Sequence, residues 1–138
     1  MPLKSPEAVL RSAIVGDATL SGLVGSRIYP VIAPATATLP FVTWRRAGIQ
    51  RSQTLGAPMG VPKLSVEYSI YAATYESARE VSDRMRVVLD GYGGTVDNVT
   101  VRQVSLEQEN DDFVALTGTD MPPAFQITMV FDVWWQET

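Results

Sequence analysis

The chain has 138 residues, contains no cysteine or histidine, and carries 15 acidic against 11 basic side chains, a formal net charge of −4. One domain accounts for this length, since domains usually span ~100–200 residues. The composition excludes disulfides, thiolate zinc sites and enzymes that depend on a cysteine or histidine side chain. The negative charge disfavours sequence-specific DNA binding. No stretch has the apolar length that a signal peptide or a membrane span requires.

Two short helices are expected at the start of the chain. Residues 5–7 (SPE) form a helix-start signal, and apolar residues at helical spacing follow until Gly16. Asp17 begins the second helix, which Gly25 ends. Residues 27–30 (RIYP) then predict a short extended stretch that ends at a proline.

Two strands and a loop follow. Residues 41–47 (FVTWRRA) are rich in β-branched and aromatic side chains and predict a strand. Residues 64–72 alternate between apolar and polar side chains, which predicts a strand with one buried and one wetter face. Between them, residues 48–63 contain three glycines and two prolines and predict a long functional or mobile loop.

The clearest element is an amphipathic helix that Thr74 caps and Gly91 stops. Its apolar residues recur at helical spacing: Ala78, Val81, Met85, Val88 and Leu89. Residues 99–107 predict another strand, residues 108–123 a second polar loop, and residues 125–136 a long final strand. The order α-β-β-α-β-β favours an α+β fold, with a mainly antiparallel four-stranded sheet packed against two or three helices.

Few residues suggest chemistry. Residues 107–112 (EQENDD) place four carboxylates in six positions, which could ligate a hard cation, but a solvated acidic turn is favoured because the spacing does not match a calcium loop. Residues 91–94 (GYGG) follow a helix, whereas phosphate cradles precede one. No histidine is available to activate a hydroxyl nucleophile. The sequence therefore predicts a protein that is not an enzyme and uses no cofactor or metal.

Several residues indicate an interface. Arg45, Arg46 and Arg51 lie close together in the sequence beside Trp44, and nine of the 11 basic residues are arginine. Arginine makes planar, bidentate contacts at protein interfaces, so a subunit interface is favoured over a nucleic-acid platform. The arginine excess has an equal alternative explanation in genomic base composition. Trp134 occupies the polar register of the last strand, which indicates either a partner surface or a position that the first helix covers.

Four segments stand in a distinctive order along the chain: an N-terminal helical region ending in GSRIYP, the proline-led strand LPFVTWRRAG, the helix pattern Y-x-x-A-R-x-x-x-D-x-x-R, and the closing FDVWW. In this order they resemble the tail-completion, or tail-terminator, proteins of long-tailed bacteriophages and prophages. The resemblance covers nearly all of the chain and implies a single tail-completion-like domain over residues 1–138. No catalytic residues carry over from it.

The resemblance implies a structural virion protein, assembled in the bacterial host cytoplasm, whose subunits form a six-membered ring at the head-proximal end of the tail tube. Such a ring would end tube polymerisation, contact the tail tube protein and the head connector or neck protein, and let DNA pass without specific binding; no membrane is involved. The candidate contact residues are Arg45, Arg46, Arg51, Met59 and Trp134. Charge reversal of the three arginines is expected to abolish ring formation and leave the monomer folded.

Three other functions are weighed against this one. A monomeric ligand-binding or regulatory α+β domain would use a pocket between the helix over residues 74–89 and the sheet. Another neck or tail-tube ring subunit would share the same small, β-rich design. A carboxylate-metal hydrolase built on residues 107–112 is the least favoured.

Overall fold

A six-stranded sheet, covered on one face by helices, dominates the computed structural model. The structure describes residues 6–31, 33, 38–50, 53–54, 57–58, 63–96, 99–114 and 124–137. Within these residues, the helices are α1 (Pro6–Gly16), α2 (Ala18–Val24) and α3 (Tyr75–Leu89). The strands are β1 (Ile28–Pro30), β2 (Phe41–Gln50), β3 (Gln53–Thr54), β4 (Ala57–Pro58), β5 (Lys63–Ala72), β6 (Gly94–Val96), β7 (Val99–Val114) and β8 (Ala124–Glu137).

The strand order in the sheet is β1-β2-β5-β8-β7-β6, while β3 and β4 pair separately. Every neighbouring pair in the large sheet is antiparallel except β1 and β2, which are parallel. The predicted α+β class is therefore confirmed, but the predicted four-stranded sheet and the order α-β-β-α-β-β are wrong in detail. The four expected strands form the centre of the sheet, and two three-residue strands add its outer edges.

The predicted polar loop over residues 108–123 is wrong for its first part, because β7 continues to Val114. Its pairing with β8 extends without a break in partners from Gln108 opposite Val130 to Val114 opposite Ala124. Charged side chains are tolerated here because β7 lies near the edge of the sheet, where one side of the strand faces water. Residues 115–123 lie outside the described residues.

The predicted loop over residues 48–63 is also shorter than expected. A bulge between Arg46 and Gly48 shifts the register, and β2 then continues to Gln50 opposite Lys63. The pair β3 and β4 forms a short hairpin within the same segment. The remaining residues of this predicted loop, 51–52, 55–56 and 59–62, lie outside the described residues.

The hydrophobic core lies between the helices and one face of the sheet. On β5 and β8 every second residue is buried, as the alternating pattern of β5 predicts. From α3, the core receives Ala78, Val81, Met85 and Leu89, all with no exposed surface. Truncation of a side chain such as Met85 to alanine should cost about 2–5 kcal/mol, the usual range for a large-to-small change in a packed core.

Polar caps set the helix ends where the sequence predicts them. The Asp17 carboxylate accepts a hydrogen bond from the Leu20 N–H, and the Thr74 hydroxyl accepts one from the Ser77 N–H. Gly25 follows α2 with φ 59°, and Gly91 lies just past α3 with φ 81°, a left-handed conformation that favours glycine.

Asp17 also joins α2 to α3. The Arg84 guanidinium donates to both carboxylate oxygens of Asp17, from Nε at 2.9 Å and from Nη2 at 2.7 Å. These hydrogen bonds, followed by the one from the Leu20 N–H, lower the pKa of Asp17 from 3.8 to about 2. The folded state therefore holds this carboxylate ionised at a pH where the unfolded chain takes up a proton.

This shift predicts an acid-dependent loss of stability. The Asp17 contribution is present above pH ~4 and is lost as the pH falls towards ~2, because protonation favours the unfolded chain. The variant Asp17→Asn keeps a capping oxygen but removes the charge. Urea unfolding at a series of pH values should show that the free energy of unfolding falls more steeply for the wild type than for this variant as the pH is lowered between these limits. Asp83→Asn, which removes an exposed carboxylate paired with Arg79, controls for net charge, and parallel wild-type and Asp17→Asn curves would contradict the assignment.

Candidate assembly surface

The sheet has one helix-covered face and one open face. Within the described residues no helix packs on the open face, where polar side chains bind one another across strands. The Ser65 hydroxyl donates to Asp132 at 2.7 Å, and the Lys63 ammonium lies 3.6 Å from the same carboxylate. The Gln126 amide donates to the Tyr71 hydroxyl at 3.2 Å. This part of the open face is polar, whereas Phe41, Thr43 and Ser69 on the same face are buried.

Trp134 lies on this open face and is partly buried between Lys63 on β5 and Gln103 on β7. The alternative that the first helix covers this residue is wrong, because α1 buries Val9, Leu10 and Ile14 in the core on the opposite face. Whether Trp134 contacts a partner stays a prediction.

The three-arginine cluster expected from the sequence is split by the strand geometry. Arg45 and Arg46 are neighbours in β2, so their side chains leave the sheet on opposite faces. On the open face, Arg45 Nη2 donates to Glu67 Oε2 at 2.7 Å. On the helix-covered face, Arg46 binds Glu7 of α1 through two nitrogens, with Nη2 3.2 Å from Oε2. Arg51 and Met59 lie outside the described residues.

Arg46 has a structural role because Glu7 is buried. The Glu7 side chain is 1% exposed, whereas that of Arg46 is 48% exposed. A buried carboxylate needs a charged hydrogen-bond partner to offset the loss of water, and Arg46 supplies it. Burial, together with the nearby charge of Glu7, raises the pKa of the Tyr68 hydroxyl, which keeps that side chain neutral in the core.

Truncation of the two arginines should therefore have unequal effects on folding. Arg46→Ala leaves Glu7 buried without its partner and should lower the free energy of unfolding by about 1–3 kcal/mol. Arg45→Ala removes a surface pair whose side chains are 57% and 23% exposed, which should cost under about 1 kcal/mol. Chemical denaturation of both variants at neutral pH measures the difference. Equal destabilisation would show that Arg46 does no more for the fold than Arg45.

One outer edge of the sheet is open along the second half of β2. The parallel strand β1 and the residues beside it cover only the first half: the Val42 N–H donates to the Arg27 carbonyl at 2.9 Å, and the Val31 N–H donates to the Trp44 carbonyl at 2.7 Å. Among the described residues, no strand pairs with the outer side of residues 45–50. We call this segment the β2 edge.

The opposite outer edge is open along the second half of β7. Strand β6 pairs with residues 99–101, the Gly91 N–H donates to the Val104 carbonyl at 2.7 Å, and the Leu106 N–H donates to Asp90 at 3.1 Å. Beyond this point no described strand pairs with the outer side of residues 107–114. We call this segment the β7 edge.

The acidic run lies within the β7 edge, so the predicted acidic turn is wrong. Strand alternation sends its side chains to two faces. Glu109 accepts from Arg79 Nη1 at 2.9 Å and Asp111 from the Tyr75 hydroxyl at 2.8 Å, both towards α3. Asp112 is on the open face, opposite Gln126. In the described part of the chain, no group of three or more acidic side chains is placed to hold a metal ion.

The alternative of a ligand pocket between α3 and the sheet is not supported by the packing. Val81 and Met85 project from α3 into this space and are fully buried against core residues of the sheet. The protein's own side chains therefore occupy the region that a ligand would need.

The sequence patterns did not predict the β7 edge as an exposed strand edge. One signal in the chain points to it. The last strand is fourteen residues long, Ala124–Glu137, and is longer than the ten-residue β5 beside it. The acidic residues before residue 115 precede this strand in the sequence and can pair with it as an antiparallel neighbour.

Fold and surface define a small α+β subunit with one covered face and two open edges, the design of an assembly component. Residues 8–134 match the family model described as tail completion protein gp17. Since the match spans most of the chain, the protein belongs to the tail completion protein gp17 family and is a phage tail structural protein.

A solved structure titled "Virion of native gene transfer agent (GTA) particle" contains a chain with a similar fold. The TM-score is 0.70 at 16% sequence identity, over 96% of this chain and 95% of that one. At this identity the similarity establishes the fold alone. Among curated proteins, none matches the chain. None of the helices described here is both long and apolar enough to cross a membrane.

Proposed function

We propose that the chain is a tail-terminator subunit, which acts as a single domain and forms a homo-oligomeric ring of six copies at the head-proximal end of the tail tube. The ring ends tube polymerisation and joins the tail to the head connector. The observation that carries this proposal is the pair of open edges on opposite sides of one sheet, in a chain of the tail completion family.

Two different open surfaces on one subunit favour head-to-tail contacts, which close into rings when the rotation between neighbours permits. A ring leaves a central lumen for DNA. A subunit with a net charge of −4 suits this passage, because strong phosphate contacts would retard the DNA. The gene transfer agent chain comes from a virion particle, which supports the same location for this protein after assembly in the host cytoplasm.

The open face and the segment over residues 48–63 are proposed as contacts to the tail tube or an adjacent ring. Trp134 offers a large aromatic side chain on that face, and aromatic residues are enriched at interfaces. Arg51 and Met59 are retained as proposed contacts in the segment.

The first test is the solution mass of the purified protein by light scattering over a concentration series, with negative-stain images of large species. We expect rings with a central hole, formed alone or after addition of purified tail tubes, and tubes whose length stops increasing once the protein is added. A monomer at every concentration that leaves tube growth unchanged would contradict the proposal and favour a ligand-binding domain. Rings that bind the connector but not the tube would instead identify a neck subunit.

Charge reversal at a single arginine sharpens this test. The triple reversal expected from the sequence is unsuitable, because Arg46→Glu would place a second carboxylate against the buried Glu7. Arg45→Glu avoids this problem, and Arg11→Glu on the exposed surface of α1 changes the net charge equally. We expect Arg45→Glu to lower the ring fraction at least tenfold with an unchanged circular dichroism spectrum, and Arg11→Glu to assemble normally. Normal assembly of Arg45→Glu would remove Arg45 from the interface.

A further inference from the structure

We propose that successive subunits of the ring join by pairing the β2 edge of one copy with the β7 edge of the next, so that their sheets continue into one another. The inference rests on the ring proposed above and identifies the surfaces that close it. The partner is a second copy of this chain.

Strand direction permits this pairing. β2 is antiparallel to β5, β5 to β8 and β8 to β7, so β2 and β7 run in opposite directions within one subunit. When a second copy lies beside the first with its helices on the same face, and is shifted along the strands so that its residues 45–50 lie beside residues 107–114, β7 of one and β2 of the next form an antiparallel pair. This is the arrangement already used through the centre of the sheet.

Charge selects unlike edges as partners. The β2 edge begins with Arg45 and Arg46, whose side chains are about half exposed. The β7 edge carries four carboxylates: Glu107, Glu109, Asp111 and Asp112. Two β7 edges would bring carboxylates close together, which is unfavourable across strands, whereas the unlike β2 and β7 edges attract. Charge therefore disfavours a symmetric dimer through two β7 edges and favours head-to-tail addition.

On both edges, the residues whose backbone N–H and C=O groups face outward have their side chains on the same face of the sheet. Trp44, Tyr68, Met129 and Glu109 lie side by side on β2, β5, β8 and β7. The Trp44 carbonyl accepts from Val31 and so faces away from β5. In an antiparallel sheet, Tyr68 then exchanges backbone hydrogen bonds with Met129, and the N–H and C=O groups of Glu109 face outward. By the two-residue period, Arg46 and Asp111 also face outward. All of these residues have their side chains on the helix-covered face.

Because the outward-facing residues of both edges have side chains on the same face, the backbone N–H and C=O groups of the β2 edge can pair with those of the β7 edge. Neither subunit has to be turned over. Such pairing satisfies the unpaired groups of both edges and keeps the helices of all copies on one side. The carboxylates of the β7 edge also repel a copy of the same edge, which disfavours β7 to β7 pairing.

A thiol cross-link between the two edges tests the proposal, because the natural chain contains no cysteine. Ala47→Cys on the β2 edge and Asn110→Cys on the β7 edge are both exposed and leave the edge charges intact. Within one subunit these positions are separated by β5 and β8, three strand spacings or roughly 14 Å. This exceeds the ~7 Å Cα separation that a disulfide allows.

The assembled double variant is treated with an oxidant or with a short bis-maleimide. The bis-maleimide also joins the two cysteines if the strand register differs by two residues. Denaturing electrophoresis should show a ladder of covalent multimers up to the ring size, and each single variant should remain monomeric. Light scattering of the same untreated samples reports whether rings are present.

Rings without a ladder would overturn the edge pairing and leave the ring proposal standing. A covalent dimer from Asn110→Cys alone would show that β7 edges pair with each other, which also overturns the inference. Absence of rings in the wild type, with and without tail tubes, would overturn both proposals.

Discussion

The architecture depends on the hydrophobic core that lies between the helices and one face of the sheet. All three described helices lie on that face, and the residues that alternate inward from β5 and β8 meet them in a single core. Because this core buries the apolar side chains that stabilise the fold, much of the opposite face and the outer edges can carry polar and charged side chains without destabilising the monomer. The same one-sided arrangement therefore stabilises the monomer and leaves surfaces available for assembly.

Two charged contacts hold the helical layer in place on this sheet. Arg46 links β2 to the buried carboxylate of Glu7 in α1, and Arg84 links α3 to Asp17 at the start of α2. Both pairs join elements distant in sequence, so they constrain packing angles that apolar contacts alone leave adjustable. Arg46 shows how a residue beside an exposed edge can stabilise the fold, while its neighbour Arg45 forms a surface pair with Glu67.

Local signals in the sequence predicted what local physics determines. The caps Asp17 and Thr74, the amphipathic face of α3 and the alternation of β5 all agree with the structure. The extended stretch at residues 27–30 was predicted, but its place beside β2 and the full extent of β7 could not be predicted in this way, because they depend on pairing with other segments. The arginine cluster failed for a related reason: adjacency along a strand places side chains on opposite faces. Among the candidate contact residues, Arg45 and Trp134 lie on the open face, and their contact with a partner stays a prediction.

The sheet forms the core of the monomer and also carries the edges proposed for assembly. Membership of the tail completion family places the chain among phage tail structural proteins, and its charged, phase-matched edges offer a physical route to a closed ring. The most direct measurement is an electron cryomicroscopy structure of the assembled protein at a resolution that separates strands. We expect the map to show β-sheet that continues from residues 107–114 of one subunit to residues 45–50 of the next. Subunits joined through their helices, with both edges facing solvent, would contradict it.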